Sequence, residues 1–487
     1  MHRTRKIGND VQCFFDDWII EDMVGVKRRF QGFTKHSDNP VFKGEMPWES
    51  PAGPATACIL HEEGRYKLYY EIPYETVEYD GIEKKRKRHE CVCYAESEDG
   101  VHWMRPELNL YPEFGEGNNV VLQGKDQRIN GMTIVTLPKA SETSRYTALF
   151  KGKTAVHLAI SQDGIHWEEN EKPVIAYMND TALTVLPLPG GKWRLYGRNS
   201  VYAGHWQRRI AIYESEDLHI WSEPETILMP EDNDEYYGLR PFPYGGFYVG
   251  LLMRFYSTTS STLDCEWVFS RDGITWQHSG CTALPLGKIG SFDAYRAIYT
   301  SYLAIENEEI RTFYIGADGR HNAPLEEKHF ALGMASMRRE GFCWLDSSDT
   351  AYLAQRVQTA QQEDHKHVMD EGRMLTRPFL FEGDRLEINC DASGGRLDVA
   401  ILNVRTQPQI RIDKDGFCLG AYEDPFEGLS IQQFDTVCSD RVTHIATWQG
   451  KSDLTAIRGE MVRLLFVMRG AKLYSFTVCK SEEEPQK

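Results

Sequence analysis

The stretch SEDGVHW at residues 97–103 decides the fold, because the chain repeats it. Three further copies follow: SQDGIHW at 161–167, SEDLHIW at 215–221 and SRDGITW at 270–276. In each copy a tryptophan stands six residues after the serine, and successive serines lie 54 to 64 residues apart. A period of this length is typical of propellers and other arrays of supersecondary units.

Strand patterns surround every copy. Each copy ends a run of alternating apolar and polar residues, such as ECVCYAE before Ser97, and alternation of this kind predicts a strand. Two more strand patterns precede each run, and the Asp-Gly or Asp-Leu step indicates a tight turn into an outer strand. A weaker fifth copy, ASMRREGFCW, places Ser336 eight residues before Trp344. The chain therefore predicts an all-β fold with a five-bladed β-propeller over residues 30–347.

The rest of the chain lacks this turn. Residues 348–374 predict a linker with a helical stretch, and strand patterns over 375–487 predict a C-terminal antiparallel β-sandwich. Residues 1–29 contain VQCFFDDWII, one more strand pattern, which is a candidate to close the propeller ring against the last blade.

Charge and composition limit the classes of binding partner and the cellular location that we expect. The net charge of −17 argues against a nucleic-acid partner, since phosphate backbones are polyanions. No stretch approaches the roughly 18 apolar residues of a membrane span, and no apolar segment follows the basic N-terminus as in a signal peptide. The 11 cysteines form no CxxC pair, which fits reduced thiols better than disulfides or zinc. We therefore expect a cytoplasmic protein.

The turns and the predicted domain order resemble a known group. Ser-x-Asp-(Gly/Leu)-x-x-Trp turns in a five-bladed propeller, followed by a β-sandwich, look like the furanosidase superfamily of glycoside hydrolase families 32 and 43. The stretches FFDDWII, GSFDAYRAIYT and FLFEGDRLEINCDAS are similar to bacterial family-32-like glycosidases. The resemblance implies a glycoside hydrolase that removes a terminal sugar, for instance a furanoside, from a small oligosaccharide.

The starts of the inner strands are the candidates for catalysis, because all inner strands of a propeller begin at one mouth. Glycoside hydrolysis needs two carboxyls, one protonated and one ionised. By resemblance, Glu49 would be the base or nucleophile, Asp180 would orient the sugar and tune the acid, and Glu235 would be the general acid. Asp293 is a rival for either role. Structural roles stay open: an ion pair for Glu49, and turn formation for Asp180 and Asp293.

Aromatic and basic residues at the same starts are candidate sugar contacts. Aromatic rings stack on sugar faces, and converging arginines would suit an anionic sugar. The substrate-binding candidates are Trp48, Arg128, Asn130, Tyr237, Arg240, Tyr295 and Arg296. No cofactor or metal site is predicted, although His321 matches a metal-adjacent histidine of family 43 at one position and a structural calcium ion stays open.

Three functions compete on this basis. The leading hypothesis is an oligosaccharide hydrolase. The second is a non-catalytic carbohydrate-binding propeller, in which the carboxylates only accept hydrogen bonds. The third is a structural or interaction propeller. The sequence leaves open the sugar, the linkage, which carboxyl is acid and which base, and whether the protein is a homo-oligomer.

Overall fold

The computed structural model describes residues 5–49, 52–80, 83–137, 144–178, 183–199, 207–231, 234–362, 370–404, 409–412 and 418–480. These residues form an all-β structure with one α-helix, as the alternating patterns predicted. The chain separates into two compact units. We call Gly32–Met337 the repeat domain, and Met1–Gln31 together with Arg338–Lys487 the terminal domain.

The strands of the first part of the chain are numbered in order. In the terminal domain they are β1 (Arg5–Lys6), β2 (Gln12–Cys13), β3 (Ile20–Val24) and β4 (Lys27–Phe30). Two short strands, β5 (Thr34–Lys35) and β6 (Phe42–Lys43), open the repeat domain. Sheet I then contains β7 (Thr56–Glu62), β8 (Arg65–Asp80), β9 (Glu83–Ser97) and β10 (Val120–Leu122).

Four further sheets follow in the repeat domain. Sheet II contains β11 (Asn130–Thr136), β12 (Tyr146–Lys151), β13 (Val156–Ser161) and β14 (Glu168–Glu169). Sheet III contains β15 (Thr184–Pro187), β16 (Trp193–Arg198), β17 (Ile210–Ser215) and β18 (Glu225–Leu228). Sheet IV contains β19 (Glu235–Tyr244), β20 (Phe247–Phe255), β21 (Leu263–Ser270) and β22 (Gln277–Leu284). Sheet V contains β23 (Arg296–Glu306), β24 (Glu309–Ala317) and β25 (Phe330–Arg338), with β5 and β6 as its outer strands.

The first strand of each sheet lies innermost. β7 contacts β11, β11 contacts β15, β15 contacts β19, β19 contacts β23, and β23 contacts β7 again, so these five strands form a closed ring. One parallel residue pair, Leu263 with Arg296, also links sheets IV and V. The apolar core lies between successive sheets, where rings such as Tyr69 and Phe150 of sheets I and II are buried together.

The Ser-x-Asp turns connect the third and fourth strands, as predicted. In the second copy Ser161 Oγ accepts from the Gly164 amide at 2.9 Å, and Asp163 Oδ1 accepts from the amides of Ile165 and His166 at 2.8 Å. The Trp167 indole donates to the Gly164 carbonyl at 3.0 Å. The other three copies repeat the serine and aspartate bonds, so one local geometry forms four times.

Each turn also packs against the preceding sheet. Gly164 adopts φ +82°, and a Cβ there would overlap the Tyr69 hydroxyl of β8. A Cβ on Gly273 would lie 2.8 Å from the Tyr196 hydroxyl of β16, and one on Gly100 would lie 2.7 Å from the Phe313 ring of β24. The turn glycines therefore serve close approach between sheets as well as the turn itself.

Sheet V is completed by residues that precede sheet I in the chain. Lys35 of β5 pairs with Ala335, and Phe42 of β6 pairs with Leu332. This differs from the role suggested for VQCFFDDWII: β2, within that stretch, pairs with a C-terminal strand of the terminal domain. Burial explains why β2 belongs to the terminal domain: Phe14, next to β2, is 0% exposed, and its ring packs against Phe476.

The terminal domain contains the remaining elements. They are β26 (Cys343–Asp346), α1 (Thr350–Gln362), β27 (Gly372–Thr376), β28 (Phe379–Leu380), β29 (Arg385–Asp391), β30 (Arg396–Asn403), β31 (Gln409–Ile412), β32 (Cys418–Tyr422), β33 (Asp440–Ile445), β34 (Met461–Arg469) and β35 (Lys472–Cys479). The strands form two six-stranded sheets and the β31–β32 pair. Phe476 of one large sheet packs against Phe379 and Phe466 of the other, so their apolar faces meet.

The weak fifth turn leads out of sheet V. Trp344 lies on β26, which pairs with β4 and β35 rather than with β25. The N-terminal strands β1 to β4 share the two large sheets with strands from the C-terminal half, whereas the sequence placed the sandwich in 375–487 alone. In the described part of the chain, the helix is too short to cross a membrane.

Candidate functional site

The inner strands of the repeat domain enclose a small cavity on the ring axis, which we call the axial cavity. Thr56 of β7, Met132 of β11, Arg240 of β19 and Ser301 of β23 line it, together with Leu183 just before β15. Thr56 and Met132 lie near the starts of their strands, whereas Arg240 and Ser301 lie near the middle of theirs. We call the end of the ring where the inner strands begin the strand-start end. The predicted catalytic and binding residues can be placed relative to it.

Glu49 forms a buried ion pair with Arg105. Its side chain lies in a 3₁₀ turn at Pro47–Glu49 and is 1% exposed. Arg105 Nε donates to Oε1 at 2.9 Å, the Tyr70 hydroxyl donates to the same oxygen, and the amides of Glu45 and Met46 donate to Oε2 at 2.7 and 3.0 Å. Every acceptor position of this carboxylate is taken by the surrounding protein, as in the structural alternative.

Asp293 has a similarly closed environment. It is 3% exposed, and it accepts from Lys35 of β5, from the Tyr314 hydroxyl at 2.9 Å and from Ser291 Oγ at 2.7 Å. Burial alone would raise the pKa of Asp293, but Lys35, Ser291 and Tyr314 together lower it. Lys35 belongs to an outer strand of sheet V, so this contact ties that strand to the loop before β23.

Glu235 lies beside an arginine that contacts a cluster of aromatic rings. It begins β19, is 8% exposed, and pairs with Arg208, whose Nη1 donates to Oε2 at 2.6 Å. The Arg208 guanidinium lies 5.0 Å from the centre of the Tyr237 ring. The rings of Phe255 and His321 meet that tyrosine edge to face, at 5.8 and 5.1 Å between centroids. Sequence reasoning identified Glu235 and Tyr237 but missed Arg208 and Phe255.

Asp180 lies outside the described residues, between Met178 and Leu183. Leu183, the next described residue, lines the axial cavity. The assignment of Asp180 therefore stays a prediction.

The predicted substrate-binding residues are dispersed. Trp48 donates through Nε1 to Asn119 Oδ1 at 2.9 Å, and Arg128 pairs with the buried Glu90. Arg296 lies 5.0 Å from the centre of the Phe330 ring. Asn130 begins β11 and Tyr295 directly precedes β23, both half-buried. Tyr237 packs beside Glu235, and Arg240 lies deeper, at the axial cavity. The expected convergence of Arg128, Arg240 and Arg296 is not among the contacts of the described residues.

Glu71 is a buried carboxyl that sequence reasoning missed. It lies on β8, is 3% exposed, and accepts from the Met132 amide of the next inner strand at 2.7 Å. Burial raises the pKa of Glu71 to about 7, although hydrogen bonds from Met132, Thr56 and Gly131 oppose the shift. The available signal was an acid inside the apolar run LYYEIPYE, because buried strand positions rarely carry an unpaired carboxylate.

In the described part of the chain, no group of three or more His, Cys, Asp or Glu side chains is arranged to hold a metal ion. His321 contacts aromatic rings, and its backbone carbonyl accepts from Lys328 Nζ at 2.7 Å.

No protein-family profile and no curated protein sequence matches this chain. Among solved structures, it is similar to an N-acetylgalactosamine deacetylase from F. plautii in complex with blood group B trisaccharide, with 15% identity over 66% of this chain and 97% of that one, at a TM-score of 0.42. A beta-1,2-mannobiose phosphorylase from Listeria innocua has 12% identity, covering 63% and 96%, with a TM-score of 0.47. A family 43 arabinoxylan arabinofuranohydrolase from Bacillus subtilis has 11% identity, covering 91% and 97%, with a TM-score of 0.42.

Proposed function

We propose that the repeat domain is a five-bladed β-propeller and that it hydrolyses a glycosidic bond at the strand-start end. The closed ring of five inner strands, each of which leads a sheet of four or five strands, supports the propeller. The specific likeness to family 32 stays a prediction of the sequence, as do the cytoplasmic location and any homo-oligomer. The substrate class that the resemblance implies is a small oligosaccharide with a terminal sugar such as a furanose.

The arrangement around Glu235 carries the proposal. A buried carboxylate, an arginine bonded to it and three aromatic rings lie together at the start of one inner strand. Sugar sites combine these elements, because rings pack on the apolar faces of sugars while charged groups bind hydroxyls and transfer protons. We assign Glu235 to the catalytic carboxyl pair and Asp180 as its partner, with Tyr237 and Arg208 contacting the sugar.

The test is hydrolysis of a panel of nitrophenyl furanosides, nitrophenyl pyranosides and short oligosaccharides. Glu235→Gln and Asp180→Asn should each lower kcat by roughly 100-fold or more while sugar binding by calorimetry survives. Glu214→Gln is the matched control. Glu214 also pairs with a buried arginine, Arg194 at 2.7 Å, but it lies near the last residue of β17, whereas Arg208 of the candidate site precedes the first residue of that strand. Wild-type activity that both site variants retain would refute the assignment.

The carbohydrate-binding alternative is favoured by one observation. Three of the four carboxyls expected to catalyse, Glu49, Glu235 and Asp293, are held in buried ion pairs. If the wild-type protein binds oligosaccharides but hydrolyses none of the panel, the binding function replaces the hydrolase. If it neither binds nor hydrolyses any of them, both carbohydrate functions are lost.

A further inference from the structure

Arg240 is a buried arginine of the repeat domain whose hydrogen-bond partners among the described residues are neutral. The residue is 9% exposed. Its Nη2 donates to the Ser301 carbonyl oxygen at 3.0 Å, and its Nη1 lies 3.4 Å from Thr133 Oγ1. Its Nε has no hydrogen-bond partner in the structure. No aspartate or glutamate within the described ranges lies within ion-pair distance of this guanidinium.

Four other arginines of the same domain show the common arrangement, in which a carboxylate faces the guanidinium. The pairs are Arg105 with Glu49, Arg194 with Glu214, Arg208 with Glu235, and Arg254 with Asp264. A guanidinium cannot shed its proton in a protein, so burial leaves a charge that needs a counter-ion. Burial lowers the pKa of Arg240, the direction expected for a desolvated cation without an acid beside it.

Arg240 lines the axial cavity together with a second unsatisfied donor. The Tyr299 hydroxyl is buried next to that of Thr184, and neither reaches an acceptor at normal hydrogen-bond geometry within the described structure. The cavity offers about 30 Å³ of internal space. This volume suits a water molecule or a monatomic ion but not a sugar ring. Water can satisfy the donors, but only an anion can also neutralise the charge.

We propose that the axial cavity binds a monatomic anion, chloride, against the Arg240 guanidinium and the Tyr299 hydroxyl. The site belongs to the ring itself: Arg240 comes from β19 and Tyr299 from β23, and Arg240 also reaches Thr133 of β11. Bound chloride would neutralise the buried charge of Arg240 and would thereby stabilise the closed ring. The proposal does not depend on the glycosidase function.

The first test is the thermal stability of the full chain in sodium chloride against sodium gluconate at constant ionic strength. Gluconate is too large for the cavity, so it controls for screening. A ligand that binds only the folded state raises Tm with its concentration, and we expect a saturable rise of roughly 2–4 °C in chloride. On wild-type protein, the ³⁵Cl resonance should broaden, and added bromide should reverse the broadening. Equal Tm in both salts together with an unbroadened ³⁵Cl signal would overturn the proposal.

Variants locate the site. Arg240→Met should abolish the chloride-dependent rise in Tm while keeping the gluconate Tm at or above that of wild type, because it removes a buried unpaired charge. Arg254→Met, which breaks a buried ion pair, should lower Tm in both salts and keep the chloride-dependent rise. If Arg240→Met does not fold, the ³⁵Cl measurement on Arg240→Lys tests the chloride site in its place. A chloride response retained in the Arg240 variant, or stabilisation by sodium glucuronate but not by chloride, would refute a chloride site here.

Discussion

The Ser-x-Asp turns and the strand-start end of the repeat domain both carry conspicuous carboxylates, but the partners of these carboxylates differ. In the turns, each aspartate is bonded to backbone amides two and three residues ahead, and the arrangement repeats in every copy. At the strand starts, each carboxylate has a different cation from a distant part of the chain: Arg105 for Glu49, Lys35 for Asp293 and Arg208 for Glu235. The repeated carboxylates therefore belong to the architecture of the sheets, and the candidate functional site lies among the carboxylates that are not repeated.

The largest effect is expected for Glu49→Ala. Removing this carboxylate leaves Arg105 buried without its partner, and breaking a buried pair in this way costs about 3–5 kcal/mol in free energy of unfolding. Urea unfolding of the full chain measures the loss. Glu45→Ala is the control, because that side chain is 70% exposed and lies 3.9 Å from the same arginine. A variant of normal stability that has lost hydrolysis would instead make Glu49 catalytic.

Glu71 predicts a pH dependence of stability. The folded-state pKa is raised to about 7, so the protonated folded form is favoured. Its stabilising contribution is complete below the ordinary value of 4.5 and is lost as pH rises to about 7. Over that range wild type should lose about 3 kcal/mol of unfolding free energy more than Glu71→Gln does. Glu98→Gln, at an 83% exposed side chain, should follow wild type, and parallel curves for Glu71→Gln would contradict the buried-carboxyl assignment.

Gly164→Ala tests whether the turns also join sheets. Both Gly164 and Gly190 have positive φ, +82° and +86°, so alanine strains the backbone at either position by about 1 kcal/mol. A Cβ at Gly164 also overlaps Tyr69, whereas nothing lies within 4 Å of one at Gly190. We expect roughly 1–3 kcal/mol of additional destabilisation at Gly164, measured by urea unfolding. Equal losses of unfolding free energy at the two glycines would show that the turn stabilises only its own sheet.

Asp217→Ala should give the smallest change. It removes two backbone hydrogen bonds at an exposed turn, at a cost of about 1 kcal/mol. The amides of Ile220 and His219 hold the pKa of Asp217 below its ordinary value of 3.8. Its contribution is therefore present above pH 3.8 and lost as pH falls through the folded-state pKa. Unfolding curves of wild type and Asp217→Ala at pH 7 and below pH 3 test this, and an undiminished difference in stability at low pH would contradict it.

Local patterns predicted the repeated elements well. The third strands end at Ser97, Ser161, Ser215 and Ser270, where the turns were expected, because alternation and turn chemistry depend on neighbours in the sequence. The outer strands of sheet V were not foreseen. They come from β5 and β6, almost 300 residues before β25, and nothing in their two-residue sequences marks them as partners of that strand.

The candidate site was predicted only in part for the same reason. Glu235 and Tyr237 were identified from their place at the start of an inner strand. Arg208 lies two residues before β17 and Phe255 ends β20, so their proximity depends on how sheets III and IV pack. Burial raises the pKa of Glu71, and the Met132 amide that donates to this carboxyl comes from 61 residues away in the chain. Burial and approach over such separations leave no periodic signal.

The sequence by itself determined the all-β class and the Ser-x-Asp turn that occurs four times, since each hydrogen bond in that turn joins residues two or three positions apart. Only the tertiary structure decided which groups surround each buried charge. Glu49 meets an arginine 56 residues away and Asp293 a lysine 258 residues away, whereas the hydrogen bonds of Arg240 within the described residues go to a carbonyl and a hydroxyl. Charges interact through space, so their balance is set by the packing of the sheets and not by the order of the residues.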